Sequence, residues 1–197
     1  MAIRRVIAGG ATVGLVAGLA CGRVTSPASP APDPTIPTQI LPASRLFVLE
    51  MSGIPPEDTV LTFAVDQPRV IILRHGAPDN TVFVELSFPD SVFRVPDGPD
   101  SVTVVVRPRP GIYGVDIATT VIPRRGATIR FKYPVHFAPP VEALQRYGSP
   151  TAFERALALA ALTDGANYAL LPSRRPASDN LESALPGPGT YLVAAPR

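Results

Sequence analysis

The chain has 197 residues, 18 of them basic and 16 acidic, with two histidines, one cysteine and 25 prolines. Arg4 and Arg5 supply the whole positive excess, so the rest of the chain is neutral and has no electrostatic footprint for nucleic acid. A single cysteine excludes an internal disulfide framework, and with two widely separated histidines it also excludes a Cys/His zinc site.

Residues 1–20 read as a bacterial export signal: a basic start at Arg4 and Arg5, then an uncharged run from Val6 to Ala20. That run is shorter than the ~20 residues needed to span a bilayer. Gly18-Leu19-Ala20-Cys21 resembles a lipobox, in which the cysteine is lipidated and becomes the first residue of the mature chain. The usual pattern has leucine three residues before the cysteine, whereas here Gly18 holds that place and Leu19 follows it. The resemblance implies lipidation of Cys21 and a membrane anchor on the extracytoplasmic side of the envelope. The alternative is cleavage before Arg23, with small residues Ala20 and Gly22 beside the cut, giving a soluble secreted or periplasmic protein. Residues 21–42 include the stretch TSPASPAPDPTIPTQILP, whose prolines and few large apolar groups describe a disordered, stiff linker. Residues 43–197 form the folded region, with Pro108 as a candidate point of subdivision.

Turn signals then recur about every ten residues, the spacing of an antiparallel β-sandwich of the immunoglobulin-like kind. Leu46–Met51, Val60–Val65 and Arg69–Leu73 are short apolar runs, and a Gly-Ala-Pro-Asp-Asn turn follows His75. Thr81–Phe88 alternates Val82, Val84 and Leu86 against Phe83 and Glu85, the period of a half-buried strand. Ser101–Arg107 is rich in β-branched valine, and Pro108, Pro110 and Gly111 close it. Tyr113–Ile122 and Thr128–Tyr133 both alternate, and Pro123-Arg124-Arg125-Gly126 between them predicts a hairpin. Val141–Tyr147 has helix-forming residues and stops at Gly148. Phe153–Leu162 is alanine-rich, yet it alternates and runs into Asp164-Gly165 and Tyr168–Leu171, so a strand hairpin is expected there. Thr190–Ala194 is the last strand.

From Thr81 onward the order of features is similar to that of the ZU-type β-sandwich modules of zonula occludens proteins and netrin receptors. The residues that carry the resemblance are Phe88-Pro89, SVTVVV from Ser101, Tyr113-Gly114, Phe131-Lys132-Tyr133-Pro134, the Asp164-Gly165 hairpin and Gly189-Thr190-Tyr191. It implies a ZU-type sandwich with a binding or structural role. Some modules of this class cut themselves at His-Phe-Ser; here Ala138 follows His136-Phe137, so that self-cleavage is not expected.

No nucleophile elbow or phosphate-binding loop occurs, and the residues call for no cofactor and no metal. His75 reads as a solvated turn residue and His136 as a strand-end residue bonded to backbone. Asp97-Gly98-Pro99-Asp100 reads as a polar turn, having too few carboxylates for calcium. Tyr113, Tyr133 and Tyr191 read as core residues with hydroxyls at the rim. Arg174, Arg175, Asp179 and Asn180 form the most distinctive polar stretch, a candidate loop for an anionic group or partner, or else a self-pinned connection. The function expected is that of a non-catalytic envelope module, tethered through Cys21, that binds an envelope protein or surface polymer or acts structurally. The alternative is an extracytoplasmic hydrolase with a dispersed site around His136 or His75.

Overall fold

The computed structural model describes residues 39–133 and 139–197. In chain order the first half contains β1 (Gln39–Pro42), one turn of 3-10 helix (Ala43–Arg45), β2 (Leu46–Val48), β3 (Thr59–Ala64), β4 (Arg69–Arg74), β5 (Val82–Phe88) and β6 (Ser101–Pro108). Next come β7 (Gly114–Thr119), β8 (Thr128–Lys132), α1 (Val141–Tyr147) and α2 (Pro150–Ala156). The chain ends with β9 (Ala158–Asp164), β10 (Asn167–Leu170), β11 (Ser173–Arg174), β12 (Asn180–Ala184) and β13 (Gly189–Pro196).

The protein is mainly β, an antiparallel two-sheet sandwich. Among the described residues one sheet has eight strands in the order β1-β10-β9-β13-β7-β6-β3, with β2 also paired to β13; the other has five, β11-β12-β8-β5-β4. The last strand, β13, is the keystone: it pairs with β9 on one side, and on the other with β7 along Gly189–Leu192 and β2 along Ala194–Pro196. Alternation explains the layers. Val102, Val104 and Val106 of β6 face Val84, Leu86 and Phe88 of β5, and Ile129 and Phe131 of β8 join them, all at most 1% exposed. This core runs unbroken past Pro108, which is itself the last residue of β6 and pairs with Val115.

Four expectations are corrected. The linker assigned to residues 21–42 ends earlier, because Gln39–Pro42 is a strand on β10. An edge strand needs hydrogen bonds on one side only, so Pro42 is tolerated there, and Leu41 packs on a small cluster with Leu46, Ala160 and Leu192. The turn at Pro123–Gly126 is not a hairpin: β7 pairs with β6 and β13, whereas β8 lies in the other sheet between β5 and β12. Its connection crosses between the sheets, pinned where the Arg124 N–H donates to the Val92 carbonyl at 2.8 Å. Phe153–Ala156 is helical rather than strand. Pro150 opens α2, the Ser149 hydroxyl accepts from the Ala152 N–H at 3.1 Å, and fully buried Phe153 meets Phe47 edge to face at 6.2 Å. Beyond it, β9 and β10 form the expected hairpin. Finally, Phe83 is not on the outer face. The β4–β5 register steps at Leu73/Arg74, leaving Phe83 as the extra residue of a bulge that turns its ring into the core.

The helix over Val141–Tyr147 is present as expected, closed by Gly148 at φ 74°, a left-handed value that glycine adopts without strain.

Candidate functional site

The β5 bulge builds an aromatic cluster at one end of the sandwich. Phe83 stacks on Tyr113 at 5.4 Å with 21° between the rings, and meets Phe131 edge to face at 5.6 Å. His75, just past β4, stands edge to face on Phe83 at 5.3 Å and is only 5% exposed. The solvated turn expected for His75 is therefore wrong. Its backbone N–H donates to the Thr81 carbonyl at 2.9 Å, which closes the loop and folds the ring inward. Gly76 makes this closure sterically feasible, since a Cβ there would lie 2.4 Å from Cγ2 of Ile54. The His75 Nδ1 is buried and has no hydrogen-bond partner among the described residues.

This cluster floors a cavity of 330 Å³ whose walls include Ser52, His75, Asp79, Tyr113, Lys132 and Tyr133. Asp179 also lines it and pairs with Lys132 at 3.2 Å. The Tyr133 hydroxyl donates to Glu154 Oε1 at 3.3 Å. Burial, and then the nearby Asp79 carboxylate, push the Tyr113 phenol up to about 12. Burial also raises the Tyr133 phenol; Arg175 opposes the rise and Glu154 adds to it. At neutral pH both phenols are thus protonated, the Tyr133 proton already given to a hydrogen bond with Glu154, and they stand beside His75, Asp79 and the Lys132–Asp179 pair. Such a wall suits hydrogen-bonded capture of a small polar group.

The polar stretch after β10 is placed differently from a free anion loop. Arg174 and Arg130 both donate to the Glu182 carboxylate, Arg130 from Nε at 2.7 Å and Arg174 from Nε at 2.8 Å. Arg130 also reaches Glu85 at 3.3 Å, and the strand registers align Glu85, Arg130, Glu182 and Arg174 in one alternating-charge row across β5, β8, β12 and β11. Glu182 is 1% exposed. Burial alone would raise its carboxyl, but hydrogen bonds and charge from Arg174 and Arg130 outweigh that and hold it below its ordinary value. Arg175 clasps the end of α2, donating to the carbonyls of Glu154 and, at 2.9 Å, Leu157. Asn180 pairs with Lys132 in the β12–β8 ladder. Of the four residues, only Asp179 reaches the cavity.

Cys21 and the His136-Phe137-Ala138 sequence lie outside the described residues. Among the described residues no group of three or more His, Cys, Asp or Glu is arranged to hold a metal. Tyr191 is buried, donates to the Gly187 carbonyl at 2.6 Å, and has its phenol raised by burial to about 12.

The tyrosines give a pH prediction. A phenol raised in the folded state adds stability that is complete below its unfolded value near 10 and is lost as pH rises through about 12. Stability measured by urea unfolding should therefore fall between pH 10 and 12, with the 295 nm phenolate signals of Tyr113 and Tyr191 appearing last. Ordinary titration of every tyrosine near pH 10 would refute it.

Comparison with protein-family models, with curated proteins and with solved structures finds no match for this chain.

Proposed function

We propose that this chain is an exported envelope lipoprotein, held at a membrane by lipid on Cys21, whose β-sandwich is a non-catalytic binding module. The observation that carries the reading is the order of parts: a basic and apolar leader ending in Gly18-Leu19-Ala20-Cys21, a proline-rich stretch, then one sandwich beginning at Gln39. Between Cys21 and Gln39 the chain reaches at most about 60 Å when extended, enough to hold the sandwich clear of a bilayer surface. The ZU-type resemblance supports a binding role, and the cavity beside Tyr113 and Lys132 offers the donors and acceptors for it.

The test is the intact mass of the mature chain from membrane and soluble fractions of a bacterial host. The expected result is a chain beginning at Cys21 with added diacylglycerol in the membrane fraction, and a Cys21→Ser variant that loses that mass and leaves the membrane. A wild-type chain beginning at Arg23 in the soluble fraction would overturn the anchor. One observation favours a hydrolase instead, namely that Ser52, His75 and Asp79 line the same cavity. Turnover of p-nitrophenyl esters that disappears in Ser52→Ala would carry that second reading.

A further inference from the structure

Two strands of the sandwich end their sheets side by side. Among the described residues β3 pairs only with β6 and closes the eight-stranded sheet, while β4 pairs only with β5 and closes the five-stranded one. The turn at Val65–Pro68 joins them, so the two free edges lie on one flank. The Arg69 guanidinium sits 5.4 Å from the Phe63 ring centroid, across the gap between the sheets. A groove of 320 Å³ opens between the edges, with Glu57, Thr59, Ile72 and Arg74 on its walls. Leu61, Phe63, Ile71 and Leu73 point toward the core, leaving Val60, Val70 and Ile72 on the outer faces at 65%, 51% and 45% exposed.

The two edges carry opposite charge at their ends. β3 is flanked by Glu57, Asp58 and Asp66, and β4 begins at Arg69 and ends at Arg74. Asp58 and Asp66 contact Arg107 and Arg94 at 3.3 and 3.7 Å, but these side chains stay 47–64% exposed and open to a further partner. Like pairing, β3 on β3 or β4 on β4, sets acid beside acid or arginine beside arginine. Unlike pairing does the reverse.

We propose that this flank is a self-association surface, on which β3 of each copy adds antiparallel to β4 of the other about a two-fold axis parallel to the strands. Such an axis keeps every strand direction and exchanges the levels of the two sheets. Because β3 and β4 are successive and run oppositely, the exchanged strands meet antiparallel, outer face beside outer face. Glu57 and Asp58 then lie near Arg74 of the second copy, and Asp66 near Arg69. Val60 lies beside Ile72. Both free edges are satisfied at once and the contact closes on itself, the property that separates a dimer from a fibre.

The experiment uses the full chain carrying Cys21→Ser, which removes the lipid site and the only native thiol. Sedimentation equilibrium should show a mass rising with concentration toward twice that of one chain. Arg74→Glu should weaken association about tenfold, and adding Asp58→Arg should restore it, with melting temperatures of the dilute, monomeric forms unchanged because both positions are exposed. A Val60→Cys chain mixed with an Ile72→Cys chain should form a mixed disulfide, and neither should cross-link with itself. A monomer at all concentrations, self-cross-linking of either variant, or association indifferent to the charge reversal would overturn the proposal. Indifference is the outcome expected of association through the apolar leader.

Discussion

Replacing Glu182 with alanine is expected to destabilise the sandwich by about 3 kcal/mol, measured by urea unfolding at pH 7. The carboxylate is 1% exposed and holds the side chains of Arg130 and Arg174, which would be left facing each other across β8, β12 and β11. Breaking a buried ion pair costs about 3–5 kcal/mol, and the lower end applies because the two arginine side chains are about a third exposed and water screens them. For a domain of this size that is a fall in Tm of about 10 °C. The effect has a pH signature. The folded carboxyl titrates below its ordinary value of 4.5, so its contribution is complete above pH 4.5 and is lost as pH falls through the lower, folded value. The difference between wild type and Glu182→Gln should therefore shrink as pH falls below 4.5. A difference under about 0.5 kcal/mol at pH 7 would mean that the row of alternating charge is decorative.

The second large effect is expected at Phe83. Truncation to alanine should cost about 4 kcal/mol, the usual loss for a fully buried aromatic that leaves a cavity its neighbours cannot fill. Here the neighbours are constrained, since Tyr113, Phe131 and His75 all rest on that ring. Folded domains hold only about 5–15 kcal/mol in total, so the variant should be marginal at 37 °C. A local readout separates cavity formation from general loosening. If Phe83 is what keeps the Tyr113 phenol dry, that phenol should fall from about 12 toward its ordinary 10 while Tyr191 stays near 12. Equal movement of both would point to loosening of the whole core.

The strands were readable because alternation reports which side of a strand is dry. Val102, Val104 and Val106, or Ile129, Phe131 and Tyr133, are buried as their spacing requires. Alternation says nothing about which strand lies alongside. β7 and β8 bury alternate residues in one core from different sheets, the same pattern that a hairpin would have, and so Pro123–Gly126 reads as a turn within one sheet although it passes between two. Bulges are invisible for a related reason. One extra residue in β5 shifts the phase, and Phe83 moves from an outer position to the centre of an aromatic cluster. The cavity residues come from Ser52, the loop after β4, the start of β7, the end of β8 and the approach to β12, so no local spacing announces them. Nothing in the sequence marks Glu182, because its partners lie 52 and 8 residues away, on strands whose adjacency only the fold defines. The Arg174-Arg175 pair reads as a binding loop, yet Arg174 closes the charge row and Arg175 the end of α2.

The first described strand lies at the far end of the larger sheet from β3, six ladders away, or about 29 Å at ordinary strand spacing. Tension delivered through the chain that precedes Gln39 therefore falls first on β1, a strand of four residues paired on one side only among the described residues. Under a pull directed away from β10 its pairs would come apart one after another, freeing Gln39 to Pro42 and adding about 13 Å of extended chain. The next restraint, the Ala43 N–H on the Ala166 carbonyl at 2.8 Å, gives way to β2 locked along β13. The sandwich thus carries a small mechanical fuse at the point where a tether would load it, one that yields before the core is disturbed.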